Sequence, residues 1–209
     1  MSKARAKLLA ASSGDFVDQT CSGRFLVATP GMLDERFERS VIYMCAHSDE
    51  GAMGIIINHP ASHLAFPAIL EQLDLLDIEA PAPLQKKLDA VPVFRGGPVE
   101  PGRGFVLHSG DIVLDENSLK VGDELYLTTT LEMLSLISKG QGPQEALFAL
   151  GYAGWSPGQL EQELQGDGWL TCDMDRGLLF DKHHETKYQR ALGQIGIDLA
   201  QFSTVSGRA

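Results

Sequence analysis

Between residues 24 and 58 the chain carries three apolar runs, and their length and β-branched content predict strands rather than helices. Residues 24–29 read as a strand that Pro30 and Gly31 stop. Residues 33–39 read as a short helical turn. Residues 41–46 are apolar at every position, so both faces of this strand are expected to be covered. A polar turn at residues 48–51 leads into residues 52–58, with Ile55, Ile56 and Ile57 at the centre. Residues 41–57 are therefore expected to form a central antiparallel hairpin, the spine of the fold.

The pattern then changes period. Pro67 suits a first helical position, and Ile69, Leu70, Leu73 and Leu76 supply an apolar stripe. Residues 79–90 read as a linker with Pro81 and Pro83, carrying a short helix near residues 85–88. Residues 91–94 read as a short strand, with Pro92 favouring an edge or a strand start. Strands are also expected at residues 104–108, 111–114, 124–128, 146–151 and 169–172.

Two helices show start signals. Thr129 and Glu132 have capping-box spacing, with Leu131, Leu134 and Ile137 as the buried stripe and Gly140 as the terminator. Ser156, Pro157 and Gln159 repeat that logic, with Trp155 and Leu160 placed as a hydrophobic staple, Leu164 inward and Gly166 closing the helix. A last helix is expected over residues 187–194. Residues 1–20 read as a loose leader, 21–198 as one domain and 199–209 as a mobile tail. Strands arrive in hairpin-like groups, so the expected class is α+β, with a twisted, largely antiparallel sheet and peripheral helices.

Composition narrows the function. The 209 residues are 44% apolar and 22% charged, ordinary globular values. With 17 Lys and Arg against 28 Asp and Glu, the formal net charge is −11. Nucleic-acid binding draws on phosphate neutralisation, and the only close basic group is Lys3, Arg5 and Lys7. Direct nucleic-acid binding and docking on anionic lipid are both disfavoured. Cys21, Cys45 and Cys172 are sparse and unclustered, as suits a reducing compartment, and Cys45 reads as a small core residue. Residues 8–11 are too short for a signal-peptide core, and no apolar run approaches a membrane span. The expected location is the cytoplasm.

Five strings occur in order: GRFLVATPG at 23–31, FERSVIY at 37–43, GAMGIIIN at 51–58, GGPV at 96–99 and GYAGWSPGQLE at 151–161. In these the chain resembles the YqgE/AlgH family of bacterial proteins, from about residue 23 to residue 197. The resemblance implies a bent sheet curled into a pseudo-barrel with helices around it, in a bacterial cytoplasmic protein. It implies no reaction, because the family has no established activity. The family's label as a transcriptional regulator has no recognised DNA-binding motif behind it, and no catalytic residue transfers.

The candidate ligand-binding residues are Arg39, Asn58, Arg95, Gly96, Gly97, Arg103, His108 and Trp155. The adjacent glycines could let amides approach an anion while the arginines supply planar donors. The same loop also reads as a tight turn whose arginines pair with surface carboxylates. Trp155 opens a helix, a natural anion site, although the capping residues already account for that segment. Asn58 reads as fixing a turn through its side chain. His47 is expected to cap its strand or pair with Asp49. His59 with His63, and His183 and His184 with Asp181 and Glu185, lack a third ligand at a known spacing, so no metal or cofactor is expected.

Two readings of function follow. One is a non-enzymatic binding or regulatory module whose partner is a protein or a small molecule. The other is an enzyme on a small anionic substrate, with Arg39, Arg95 and Arg103 binding and His108 carrying a proton. Ser40, Tyr43 and Cys45 are candidate nucleophiles near His108, but no nucleophile-elbow motif supports them.

Overall fold

The computed structural model describes residues 20–77 and 79–199. Residues 1–19 of the expected leader, including Lys3, Arg5 and Lys7, and residues 200–209 of the expected tail lie outside the described residues.

The hairpin pairs β2 (Val41–Ser48) with β3 (Gly51–Ile56), antiparallel, with a register shift between Met44 and Ala46 that leaves Cys45 at a bulge. Its outer neighbours are β1 (Phe25–Ala28), which pairs with β2, and β9 (Trp169–Cys172), which pairs with β1. On the other side β3 pairs with the long strand β8 (Ala146–Trp155), β8 with β5 (Val99–Ser109), β5 with β7 (Leu125–Thr128), and β7 with β6 (Ser118–Gly122). The strand order is β6-β7-β5-β8-β3-β2-β1-β9, and every step is antiparallel. The exception off this path is β4 (Val93–Arg95), which runs parallel to β8.

The sheet curls into a half-barrel, which brings β6 back over β2. There the Tyr43 hydroxyl donates to the Val121 carbonyl at 2.8 Å, and Tyr43 is fully buried. The other side of β1 and β2 is covered by helix α6 (His184–Gln194), whose Tyr188 hydroxyl donates to the Ala28 carbonyl at 2.8 Å. This double cover explains why β2 can be apolar at nearly every position. Tyr43→Phe is expected to lower stability by about 1–3 kcal/mol, because it leaves a buried carbonyl unpaired. Urea denaturation checks this, and an unchanged midpoint would contradict the contact's role in closing the sheet.

Strand alternation splits the apolar side chains into two clusters. Phe105, Leu107, Leu147 and Ala149 join the half-barrel core around the hairpin. Their neighbours Val106 and Phe148 point the opposite way, under α1 (Phe66–Gln72), α2 (Ala82–Asp89) and α3 (Leu131–Ser138).

Several expectations are corrected. Residues 33–39 form turns, not a helix, and they end at Arg39 with φ 53°. Residues 79–90 carry a full helix, α2, because Pro81 and Pro83 fall at its cap and first turn, where a missing amide costs nothing. Residues 111–114 are not a strand; a 3-10 turn (Asp115–Asn117) leads into β6, whose polar sequence hid it. Helix α3 starts from Thr130 without a side-chain cap, so its buried face is Met133, Leu134 and Ile137, and Leu131 is 58% exposed. Helix α4 (Gln159–Gln165) starts from Gly158 at φ 72° rather than from Ser156. Half of the expected box survives there: the Ser156 amide donates to Gln159 Oε1 at 3.0 Å. A short helix, α5 (Arg176–Phe180), went unanticipated; Asp175 caps it by accepting from the Leu178 amide.

Candidate functional site

The end of β3, the start of β2 and the first turns of α6 meet at one rim of the half-barrel. They enclose a cleft of about 350 Å³ lined by Glu38, Arg39, Asn58, His59, His184, Glu185 and Tyr188. Asn58 organises it. Its Oδ1 accepts from the Val41 amide and its Nδ2 donates to the Arg39 carbonyl, both at 2.8 Å. The side chain thus bridges two strand ends and holds Arg39 at its left-handed φ of 53°, which costs a non-glycine residue about 1–2 kcal/mol. The Arg39 guanidinium stands 5.8 Å over the Tyr188 ring, and it has no carboxylate partner among the described residues. Backbone strain of this kind clusters at ligand sites, and here it presents an exposed guanidinium to the cleft.

Two imidazoles face the same space. His59 is half-buried; its Nε2 lies 3.5 Å from the Ser40 hydroxyl, and Ser40 is fully buried. Burial, then the nearby Arg95 charge, pulls the His59 pKa below the ordinary histidine value. His184 packs edge-on against Phe94, with ring centroids 4.8 Å apart, and its Nδ1 is buried without a hydrogen-bond partner. Burial, then the Lys187 charge, lowers its pKa as well. Both rings are therefore neutral at physiological pH, and each can present a donor or an acceptor. Lys187 lies behind them, fully buried, donating to the Leu179 carbonyl at 2.7 Å and standing 5.4 Å over the Phe94 ring.

The structure gathers only part of the expected set. Arg39 and Asn58 meet in the cleft, and Arg95 flanks it through the contact of its amide with the His59 carbonyl at 2.9 Å. Gly96 and Gly97 are built into the sheet. A Cβ at Gly96 would stand 2.3 Å from the Gly151 carbonyl oxygen, and the Gly96 amide already donates to Leu150. Arg103 pairs with Glu100 at 3.1 Å and lies over the Phe105 ring.

His108 is fully buried, with Nδ1 2.8 Å from the Ser109 carbonyl and Nε2 2.9 Å from the Thr128 hydroxyl. The carbonyl can only accept, so Nδ1 carries the proton, and burial lowers the ring's pKa. His108 pairs with Ala146 and Arg95 with Leu150 on opposite sides of β8, a separation of about 13 Å along that strand.

Trp155 is buried with Trp169, and both indoles donate to Glu163 Oε2, at 2.8 and 2.7 Å, with Phe37 stacked on Trp155 and edge-on to Trp169. His47 does not pair with Asp49: its Nδ1 accepts from the Cys21 amide and its Nε2 lies 2.8 Å from Glu161.

Sequence reasoning missed His59, His184 and Tyr188 as cleft residues. His184 and Tyr188 are four apart, so they share a helical face, a signal available once α6 is extended to its true start. His183 and His63 remain exposed. Among the described residues no cluster of three His, Cys, Asp or Glu could hold a metal ion. Among them, too, no helix is long and apolar enough to cross a membrane.

A half-barrel of nine strands with peripheral helices and a polar cleft at one rim places the chain in the α+β class. The AlgH-like family model (DUF179) matches residues 25–200, and the chain belongs to that family. A UPF0301 protein of Bradyrhizobium diazoefficiens is 50% identical over 198 residues, spanning 95% of this chain and 91% of its own length. One from Nitrobacter hamburgensis is 52% identical, spanning 90% of this chain and 87% of its own. The solution structure of the AlgH protein of Pseudomonas aeruginosa is similar at a TM-score of 0.72, with 37% identity, covering 94% of this chain and all of that one. A crystal structure from Corynebacterium diphtheriae, 20% identical at a TM-score of 0.63, shares the fold. No specific activity attaches to the family.

Proposed function

We propose that the protein is a non-enzymatic binding or regulatory module of the cytoplasm, whose 21–198 domain takes a small anionic ligand in the Arg39–Asn58 cleft. One observation carries this reading: Asn58 holds Arg39 in a strained conformation beside two neutral imidazoles, and among the described residues no carboxylate forms an ion pair with the guanidinium. Such a guanidinium suits a carboxylate or phosphate, bound bidentately. Glu38 and Glu185 in the lining suit a ligand that also bears a hydroxyl or amine. Three free, buried cysteines fit a reducing compartment. The net charge of −11 argues against nucleic acid as the partner.

An enzyme acting on the same class of molecule is the second reading. It draws on the Ser40–His59 approach, the arrangement that activates a nucleophile. Ser40 is fully buried, which favours binding over turnover.

Arg39→Gly separates function from folding. Relief of the positive φ offsets the lost ring contact and the entropy of glycine, so stability should stay within about 1 kcal/mol of wild type. Calorimetric titration with inorganic phosphate and with succinate should show wild-type binding that the variant weakens at least about tenfold. Equal affinity in the two proteins would refute the assignment of Arg39.

A further inference from the structure

A second, larger cleft of about 520 Å³ opens where α2, the end of α3 and the start of β8 come together. It lies at the seam of the two apolar clusters. Leu84, Leu88, Val91, Ile137 and Ala146 belong to the cluster under the helices, and Phe180 packs against the half-barrel core. Several of these side chains, Leu84, Val91, Ala146 and Phe180 among them, are only half-buried, so apolar surface is left facing the cleft.

The walls are fixed. Gly140 turns the chain at φ 73°, and Gly142 sits so close to Ile137 that a Cβ there would stand 2.5 Å from the Ile137 side chain. The volume falls within the roughly 300–1,000 Å³ of small-molecule sites.

The rim carries a net positive charge. Lys87 and Lys182 line it, both exposed, and neither has an ion-pair partner among the described residues. Glu145, the carboxylate lining it, is held by Arg176 at 2.6 Å. A net positive rim over an apolar floor, in a chain of net charge −11, calls for a ligand with an anionic head and an apolar tail.

We propose that this cleft binds an amphiphilic anion, an unbranched acyl carboxylate whose chain lies along Leu84, Ile137 and Phe180 and whose head meets Lys87 and Lys182. The site is independent of the Arg39 cleft and stands whether or not that cleft binds an anion.

The test is titration of the full chain with decanoate, with decanol and decyltrimethylammonium as matched probes, followed by calorimetry and by backbone NMR. Decanoate is expected to bind most tightly and to shift the amides of Ile137 and Ala146. The double variant K87E/K182E should weaken decanoate about tenfold and leave decanol unchanged, as two exposed ion pairs lost and reversed would require. Lys120→Glu, a charge reversal elsewhere on the surface, should change nothing. Leu84→Gln, at a half-buried wall position, should weaken decanoate and decanol together. No decanoate binding would overturn the proposal. So would a double variant that binds decanoate as well as wild type, equal binding of the cationic probe, or shifts confined to other surfaces.

Discussion

Gly97→Ala should cost at least about 4 kcal/mol, among the largest effects a single methyl group can have. Gly97 adopts φ +153°, and a Cβ there would stand 2.1 Å from the Tyr152 carbonyl carbon and 2.3 Å from the Ala153 nitrogen. Those atoms are backbone of β8, the strand that touches β3, β4 and β5, so they cannot yield as a side-chain tip would. For a chain of this size the cost corresponds to a fall in Tm of about 10 °C. Gly158→Ala is the control. Gly158 also has positive φ, +72°, but no heavy atom lies within 4 Å of where its Cβ would stand. That variant should lose only about 1 kcal/mol. Urea midpoints that rank the two variants equally would show that close approach, as distinct from φ, is not what requires glycine in the 95–98 loop.

The second large effect is a pH dependence set by Lys187. Burial, opposed by Asp181 at 4.0 Å and reinforced by Arg190, lowers this ammonium from 10.5 to about 8. The Leu179 carbonyl, the Phe94 ring and His184 complete its surroundings. Unfolded, the lysine keeps its proton up to about 10.5; folded, it releases it near 8. Between those values the unfolded chain binds more protons, so this group's contribution to stability rises with pH. Buried thiols and phenols act in the opposite direction over the same range: Cys172 is pushed up to about 11, and Cys45 and Tyr43 further.

The informative quantity is therefore the difference between wild type and Lys187→Met. Wild type should gain about 2–3 kcal/mol relative to the variant between pH 7 and 10. Denaturant midpoints taken across that range measure it. A difference that is flat, or that falls with pH, would mean the buried ammonium titrates at its ordinary value.

These features were unequally legible in the sequence. The hairpin at residues 41–57 was readable because β-branched residues, an acidic glycine turn and continuous apolarity all pointed one way. Strand β6 was not, since Ser118, Lys120 and Gly122 carry no strand signal and the segment is a strand through its pairing with β7. In α3 a one-residue error in the start turned Leu131 from an expected core residue into an exposed one.

For the site, the string around Arg39 and the strand-end Asn58 were visible, and Asn58 plays the turn-fixing role its position suggested. His59 and His184 come together only because α6 folds back over the hairpin, a tertiary event with no local signature. His108 misled for the opposite reason. It looked like a polar strand end, while the Ser118–Thr128 hydroxyl pair, 2.7 Å apart, seals it inside.

The most direct measurement is an imidazole-resolved NMR titration of the full chain with inorganic phosphate. Resonances of His59 and His184 should move together and saturate, while those of the sealed His108 and the Glu161-paired His47 stay in place. Saturable shifts at His108, or no movement at His59 and His184, would contradict an anion site at the Arg39–Asn58 cleft.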